Sequence, residues 1–208
     1  MSGVTYLLAT RSAGKLRELR PVFEQCRLKV VDLREAGIAE RPEEDEIELF
    51  DTFEGNARAK SEYFFRRSGL PTFADDSGLS VHALGGRPGV RSKRWSGRTD
   101  LEGALLDAAN NAKLLSELST LPSSSSLEAE YVCAAAFTDE RGSTVRLGRT
   151  AGVVIRHQRG THGFGYDPYF LSSELGKTFG EADTAEKNVI SHRGRAFSAL
   201  LSVLPSLP

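Results

Sequence analysis

Five short segments of this 208-residue chain carry residue types suited to a phosphate, a metal ion or a flat base. The first is Thr10-Arg11-Ser12-Ala13-Gly14-Lys15, where an apolar run hands over to a helical pattern. Free backbone N–H groups at a helix start, aided by the helix dipole, attract anions. Gly14 permits close approach and Lys15 adds charge, although the spacing is not that of a G-x-x-x-x-G-K-[ST] loop. The second is Asp51 to Lys60, in which Asn56 and Lys60 stand four residues apart and so share one helix face. The acidic run Glu43, Glu44, Asp45, Glu46 and Glu48 precedes it. The third, Ala74-Asp75-Asp76-Ser77-Gly78, sets two carboxylates side by side at a strand end. Successive strand side chains alternate faces, so one carboxylate is expected in a site and the other in the turn. A carboxylate there suits Mg²⁺, an oxygen-seeking ion, and can take a proton from water.

The fourth segment, Gly163-Phe164-Gly165-Tyr166-Asp167-Pro168, places glycines beside aromatics, as a backbone hugging a flat ligand would. The fifth, Glu186-Lys187-Asn188 followed by Ser191-His192-Arg193-Gly194, adds two cations and an imidazole at a second helix start. Each segment alone has an ordinary explanation: a capped helix, a solvated polar face, an Asp/Ser turn, an aromatic core turn, a structural histidine.

The elements that must position these residues follow from periodicity. Residues 4–9 and 28–32 read as strands, with a helix over 14–25 between them whose Leu16, Leu19, Val22 and Phe23 share a face. Pro21 within that helix is expected to kink it. An acidic loop over Glu40–Asp51 leads to a helix over 52–67, capped by Asp51 or Thr52. Residues 71–75 predict a strand entering a turn at Asp76-Ser77-Gly78. An ordered loop over 85–98 precedes a helix over 101–118, with Leu101, Leu105, Ala108 and Ala112 on its apolar face. A surface loop spans 119–126. Strands over 129–138 and 144–155 flank a turn at 139–142, an antiparallel hairpin. A glycine-rich stretch over 160–168 precedes a closing helix over 191–204, ended by Pro205. This order implies a mixed sheet with helices on its faces.

Composition narrows the function. The formal net charge is −1 and 39% of residues are apolar, so no global field draws the chain to nucleic acid or an anionic membrane. Arg87, Arg91, Lys93, Arg94 and Arg98, grouped around Trp95, suggest RNA only weakly against that balance. Cys26 and Cys133 are far apart and form no C-x-x-C motif, as expected of thiols in a reducing compartment. No leader, lipidation signal or apolar span is evident.

The order of the motifs is more specific than any one of them. LAT-R-S-A-G-K, TFEGNARAK, ADDSGLSVHALGGRPGVRSKRW, GFGYDPYF and EKN-x-x-SHRGRA together resemble the inosine triphosphate pyrophosphatase family, the Ham1-like proteins, from about residue 6 to about residue 200. The resemblance implies one elongated α/β domain over residues 1–208, with a long mixed sheet and two lobes around a nucleotide cleft. It further implies a cytoplasmic homodimer that splits ITP, dITP or XTP into the monophosphate and pyrophosphate with Mg²⁺. It carries over a triphosphate loop at Thr10, Arg11, Ser12, Ala13, Gly14 and Lys15, and catalytic roles for Lys60 and Asp76. Metal ligation falls to Asp76 and Glu48, and substrate contacts to Ser77, Phe164, Gly165, Tyr166, Asp167, Lys187, His192 and Arg193. The chain departs from the pattern at Ser12 for Asn, at Gly55 for Glu, at Gly180 for Ala, and at Glu48-Leu49-Phe50-Asp51 for the usual E-T-G. A pyrimidine-directed pyrophosphatase and a nucleotide sensor without turnover are the rival readings.

Overall fold

A computed structural model describes residues 4–204. It contains six strands, β1 (Thr5–Leu8), β2 (Lys29–Asp32), β3 (Thr72–Val81), β4 (Glu128–Asp139), β5 (Gly142–Val154) and β6 (Phe170–Ser172). Five α-helices accompany them: α1 (Ala13–Gln25), α2 (Phe53–Ser68), α3 (Gly103–Ser119), α4 (Thr184–Ile190) and α5 (His192–Leu201). The strands form one mixed sheet in the order β2-β1-β3-β4-β5-β6. β1 pairs in parallel with β2 and β3 (Leu7 opposite Thr72). The two-residue link Glu140-Arg141 joins β4 to its neighbour β5, which only an antiparallel pair allows. β6 closes the order antiparallel to β5.

The chain divides into two compact units. The first comprises residues 1–76, 133–148 and 193–208; the second comprises 77–132 and 149–192. In the first unit, Phe23, Phe73, Phe137 and Phe197 pack tightly, with Phe73 and Phe137 ring centres 4.7 Å apart. A smaller cluster of Leu7, Ala9, Leu33, Phe64 and Ala74 lies beside α2. In the second unit, Leu79, Leu114, Leu118, Tyr131, Phe170 and Phe179 form the core. No helix among the described residues is long and apolar enough to cross a membrane.

Local chemistry accounts for most boundaries. Ser12 caps α1 by accepting from the Lys15 N–H, and Thr52 caps α2 by accepting from the Gly55 N–H. α2 ends at Gly69, whose φ of 70° is the left-handed conformation glycine adopts freely. α1 runs unbroken through Pro21. The acidic loop contains a 3-10 turn, Pro42–Glu46.

Two expectations are corrected, and two short elements lie beyond what the sequence pattern shows. The strand expected to stop at residue 75 continues to Val81, so Asp76-Ser77-Gly78 lies inside β3 rather than in a turn. Gly78 serves close packing: a Cβ there would stand 2.3 Å from both the Gly89 oxygen and Ser92 Oγ. The apolar face foreseen for the third helix is wrong. Leu105 is 68% exposed, whereas Asn110, Leu114 and Leu118 are buried. Two carboxamide bonds make that inward polar face possible: Asn110 accepts from the Ser96 N–H and donates to the Lys93 oxygen. The closing helix is preceded by α4, whose Asp183–Glu186 capping box was overlooked. Last, β6 is too short to show a pattern. Pro205 lies outside the described residues.

Candidate active site

In the first unit, β1 delivers Thr10, Arg11 and Ser12 to the start of α1. The Ser12 hydroxyl caps the Lys15 amide, so the amides of Ala13 and Gly14, at the first two helical positions, have no acceptor within the helix. Thr10 Oγ1 accepts from the Ser12 N–H at 3.2 Å. Arg11 is held by Glu44 through two bonds of 3.0 and 2.9 Å. Arg67 joins the same carboxylate at 2.7 Å, which ties the 3-10 turn of the acidic loop to the helix.

β3 supplies the carboxylates. Asp75 and Asp76 are 1% and 8% exposed, and they serve different partners, as strand alternation requires. Asp75 does not fix a turn, as had been expected. Its Oδ2 meets Lys15 Nζ at 3.0 Å and Arg193 Nε at 3.1 Å, and Arg193 also pairs with the buried Glu18. Burial alone would raise the Asp75 pKa, but Lys15, Arg193 and Lys60 hold it well below the usual carboxylate range. Asp76 Oδ2 accepts from Asn56 Nδ2 at 2.9 Å. Burial, and next the Glu48 charge, push Asp76 above its ordinary value, against Lys60, Lys15 and the Asn56 bond.

Lys60 donates to the Asp75 backbone oxygen at 2.9 Å and pairs with Glu48. Desolvation opposes its charge, yet Glu48, Asp76 and Asp75 outweigh that and raise its pKa. Asn56, four residues away, does not face solvent. Its Oδ1 accepts from the Phe50 N–H and its Nδ2 donates to the Phe50 oxygen as well as to Asp76. Gly55 makes room for this, since a Cβ there would lie 2.8 Å from Phe50 Cβ. Asn56 thus ties the loop carrying Glu48 to Asp76.

The charges decide what such a group attracts. Lys15 and Arg193 balance Asp75 and Glu18. Lys60 pairs with Glu48 and lies beside Asp76. Hard oxygen donors of this kind fit a cation such as Mg²⁺, which takes one or two carboxylates and completes its shell with water and phosphate oxygens. Among the described residues no cluster of three or more His, Cys, Asp or Glu could hold an ion unaided.

The second unit gathers the remaining residues. Ser77 lies half-buried on β3 directly after Asp76. Gly163 and Gly165 have φ of 76° and 62°, and a Cβ on Gly163 would meet Asp167 Oδ2 at 2.0 Å. That same oxygen accepts from the Phe164 N–H at 2.8 Å and pairs with Lys187 at 2.5 Å. The Lys187 ammonium lies over the rings of Phe164 and Phe179, at 5.2 and 5.1 Å. The Tyr166 hydroxyl donates to the Ser92 oxygen at 2.8 Å. His192 is buried and stacks on Tyr131, ring centres 4.5 Å apart and planes 8° from parallel. In the basic loop, Trp95 has Arg87 over its ring at 5.6 Å and Lys113 at 5.1 Å.

The sequence reading did not find Glu18, Glu44, Asn56 as the partner of Asp76, or Tyr131. A buried cation such as Arg193 requires anions nearby, but nothing in the chain's spacing links it to Glu18, 175 residues away.

With this geometry in hand, comparison with known proteins is direct. The profile of the Ham1 family matches residues 6–203. A dITP/XTP pyrophosphatase of Mycobacterium tuberculosis is 44% identical, covering 100% of this chain and 98% of its own. One of Frankia alni is 42% identical, covering 95% and 96%. Among solved structures, a HAM1 protein from Coxiella burnetii superposes with a TM-score of 0.81 at 33% identity, over 97% of this chain and 98% of that one. A nucleoside-triphosphatase / dITP/XTP pyrophosphatase from Mycobacterium abscessus superposes with a TM-score of 0.69 at 39% identity, over 98% and 100%.

Proposed function

Because this chain belongs to the Ham1 family, we propose that it hydrolyses noncanonical purine nucleoside triphosphates (ITP, dITP and XTP) to the monophosphate and pyrophosphate. The buried Asp76, pushed toward its protonated form beside Glu48 yet bound by Asn56 and close to Lys60, carries the reading. Such a group is placed to take a proton.

In this reading the α1 start and Lys15 hold phosphate oxygens, and Lys60 holds them from α2. Asp76 orients the attacking water and accepts its proton. Asn56 keeps the Asp76 carboxylate aimed, and Asp75 holds Lys15 in place. Glu48 and Asp76 would hold Mg²⁺, which when bound offsets the charge of the triphosphate and of the departing pyrophosphate. The charge balance supports that assignment, since the protein's own cations are already matched by carboxylates. Phe164 and the residues around 187–193 are assigned the base. Phe164 supplies a flat face. Donors from His192, Arg193 or the backbone would meet the C6 oxygen of hypoxanthine or xanthine and be left unpaired by adenine, which is costly when buried.

Ser12 retains a capping hydroxyl and Gly55 admits Phe50. We further infer a homodimer. The exposed Leu105, with Ala108 and Ala112 on the same face of α3, supports a covered surface there. The reaction belongs with the cytoplasmic nucleotide pool.

The test is pyrophosphate release from ITP, XTP, GTP, ATP and dTTP, each with Mg²⁺ and with chelator. Fast Mg²⁺-dependent release from ITP and XTP is expected, with little from GTP or ATP. Release chiefly from dTTP, or from none, would overturn the reading.

A further inference from the structure

Helix α3 makes a contact that the assigned chemistry does not use. Asp107 and Asn111 are one helical turn apart and reach the same residue of the glycine-rich turn. Asp107 Oδ2 accepts from the Gly165 N–H at 2.8 Å, and Asn111 Nδ2 donates to the Gly165 oxygen at 3.0 Å. Gly165 adopts φ 62° and stands between Phe164 and Tyr166. Its two backbone polar groups are thus gripped from one helix, which fixes the rotation of the peptides on either side. The Phe164 N–H goes to Asp167 and the Tyr166 hydroxyl to the Ser92 oxygen, so the turn is held at three successive residues.

Asn111 has a second feature. Its Oδ1 is buried with no hydrogen-bond partner among the described residues. A buried orphan acceptor is costly, and a leucine of similar size would avoid it. Packing alone does not favour an asparagine at this position; the donor to Gly165 does.

We propose that Asp107 and Asn111 are positioning residues that set the Phe164 ring and the Asp167–Lys187 pair for purine recognition. The proposal rests on the base-binding role given above to the 163–167 turn. Its distinguishing consequence is a split between stability and binding. Asn111→Leu removes one bond and one orphan acceptor together, so Tm is expected to stay or rise. The turn, however, loses its hold on the Gly165 carbonyl.

The experiment compares wild type, Asn111→Leu, Asp107→Ala and Asp107→Asn in full-length protein. Amide hydrogen exchange over residues 163–167 is followed without nucleotide, and kinetics with ITP and Mg²⁺ give KM and kcat separately. Asn111→Leu and Asp107→Ala are expected to speed exchange in the turn and raise KM for ITP about tenfold, with kcat little changed, because binding rather than chemistry is disturbed. Asp107→Asn keeps an acceptor for the Gly165 N–H and is expected to behave as wild type. Unchanged exchange and KM in Asn111→Leu would overturn the proposal, as would a loss of kcat that tracks a falling Tm. If wild type fails to hydrolyse ITP, the functional reading falls while exchange still decides whether α3 holds the turn.

Discussion

Adjacent residues on a strand can have different surroundings, and Asp75 and Asp76 do. Lys15 and Arg193 surround Asp75 and hold its pKa below the usual carboxylate range. Burial, and next the Glu48 charge, push Asp76 above its ordinary value. Asp76→Asn is expected to abolish pyrophosphate release with Tm kept or raised, since an amide removes a charge that is costly to bury; near-normal turnover would dismiss Asp76 as the proton acceptor. Arg193→Leu should lower stability. It strands the buried Glu18 and leaves Asp75 with Lys15, and breaking a buried pair costs roughly 3–5 kcal/mol. Denaturant unfolding would register that loss even without substrate. A midpoint unchanged in Arg193→Leu would mean the pair contributes nothing. Asn56 lies between these cases. Asn56→Leu removes both the acceptor of the Phe50 N–H and the amide that donates to Asp76 Oδ2. A lower kcat than the stability loss explains is expected, measured beside the unfolding curve.

At the scale of the element, the site rests on ends and interruptions. α1 begins where the loop after β1 stops, and Ser12 caps it by accepting from the Lys15 N–H. α4 presents Lys187 from a short helix that owes its start to Asp183 and Glu186. Asp183→Ala should cost about 1 kcal/mol, as lost N-caps do, and loosen Lys187 from Asp167. Circular dichroism melting and KM for ITP would report the two effects, and a melt identical to wild type would remove the cap from the account. β3 is continuous because the turn at 89–94 docks against Gly78. Gly78→Ala would force a Cβ to within 2.3 Å of a backbone oxygen. Overpacking of this kind costs about 1–3 kcal/mol, and a lower Tm is expected. α3 shows how a helix can bury amides and expose leucine when loop backbones satisfy the amides.

For the whole molecule, charge governs. The chain carries a formal net charge of −1, and its buried cations are matched by carboxylates. A triphosphate therefore meets little free positive charge from the protein, and chelation should stop pyrophosphate release outright rather than slow it. Residual turnover at a sizeable fraction of the Mg²⁺ rate would contradict the balance drawn here. Association is the second global property. Sedimentation velocity is expected to show a dimer, and Leu105→Glu should shift it toward monomer with little change in the monomer's fold. A wild-type monomer at micromolar concentration would end the dimer reading.

What the sequence alone determined is local or ordered along the chain. A cap at Asp51 or Thr52, the apolar strand runs, the α1 face of Leu16, Leu19, Val22 and Phe23, and the hairpin all follow from residue type and period. The motif order led to the Ham1 family, because five weak signals in one sequence constrain more than any single one. Tertiary structure decided what depends on partners distant along the chain. The Asp-Ser-Gly stretch became strand because neighbouring strands and the Ser92 turn satisfy and crowd it, overriding a turn preference that is only local. The inward face of α3 was illegible because polar groups bury only when specific acceptors and donors await them. The surroundings of the two adjacent aspartates were set by Lys15 and Arg193, brought together from opposite ends of the chain, since a carboxylate's pKa follows the charges around it rather than its own identity.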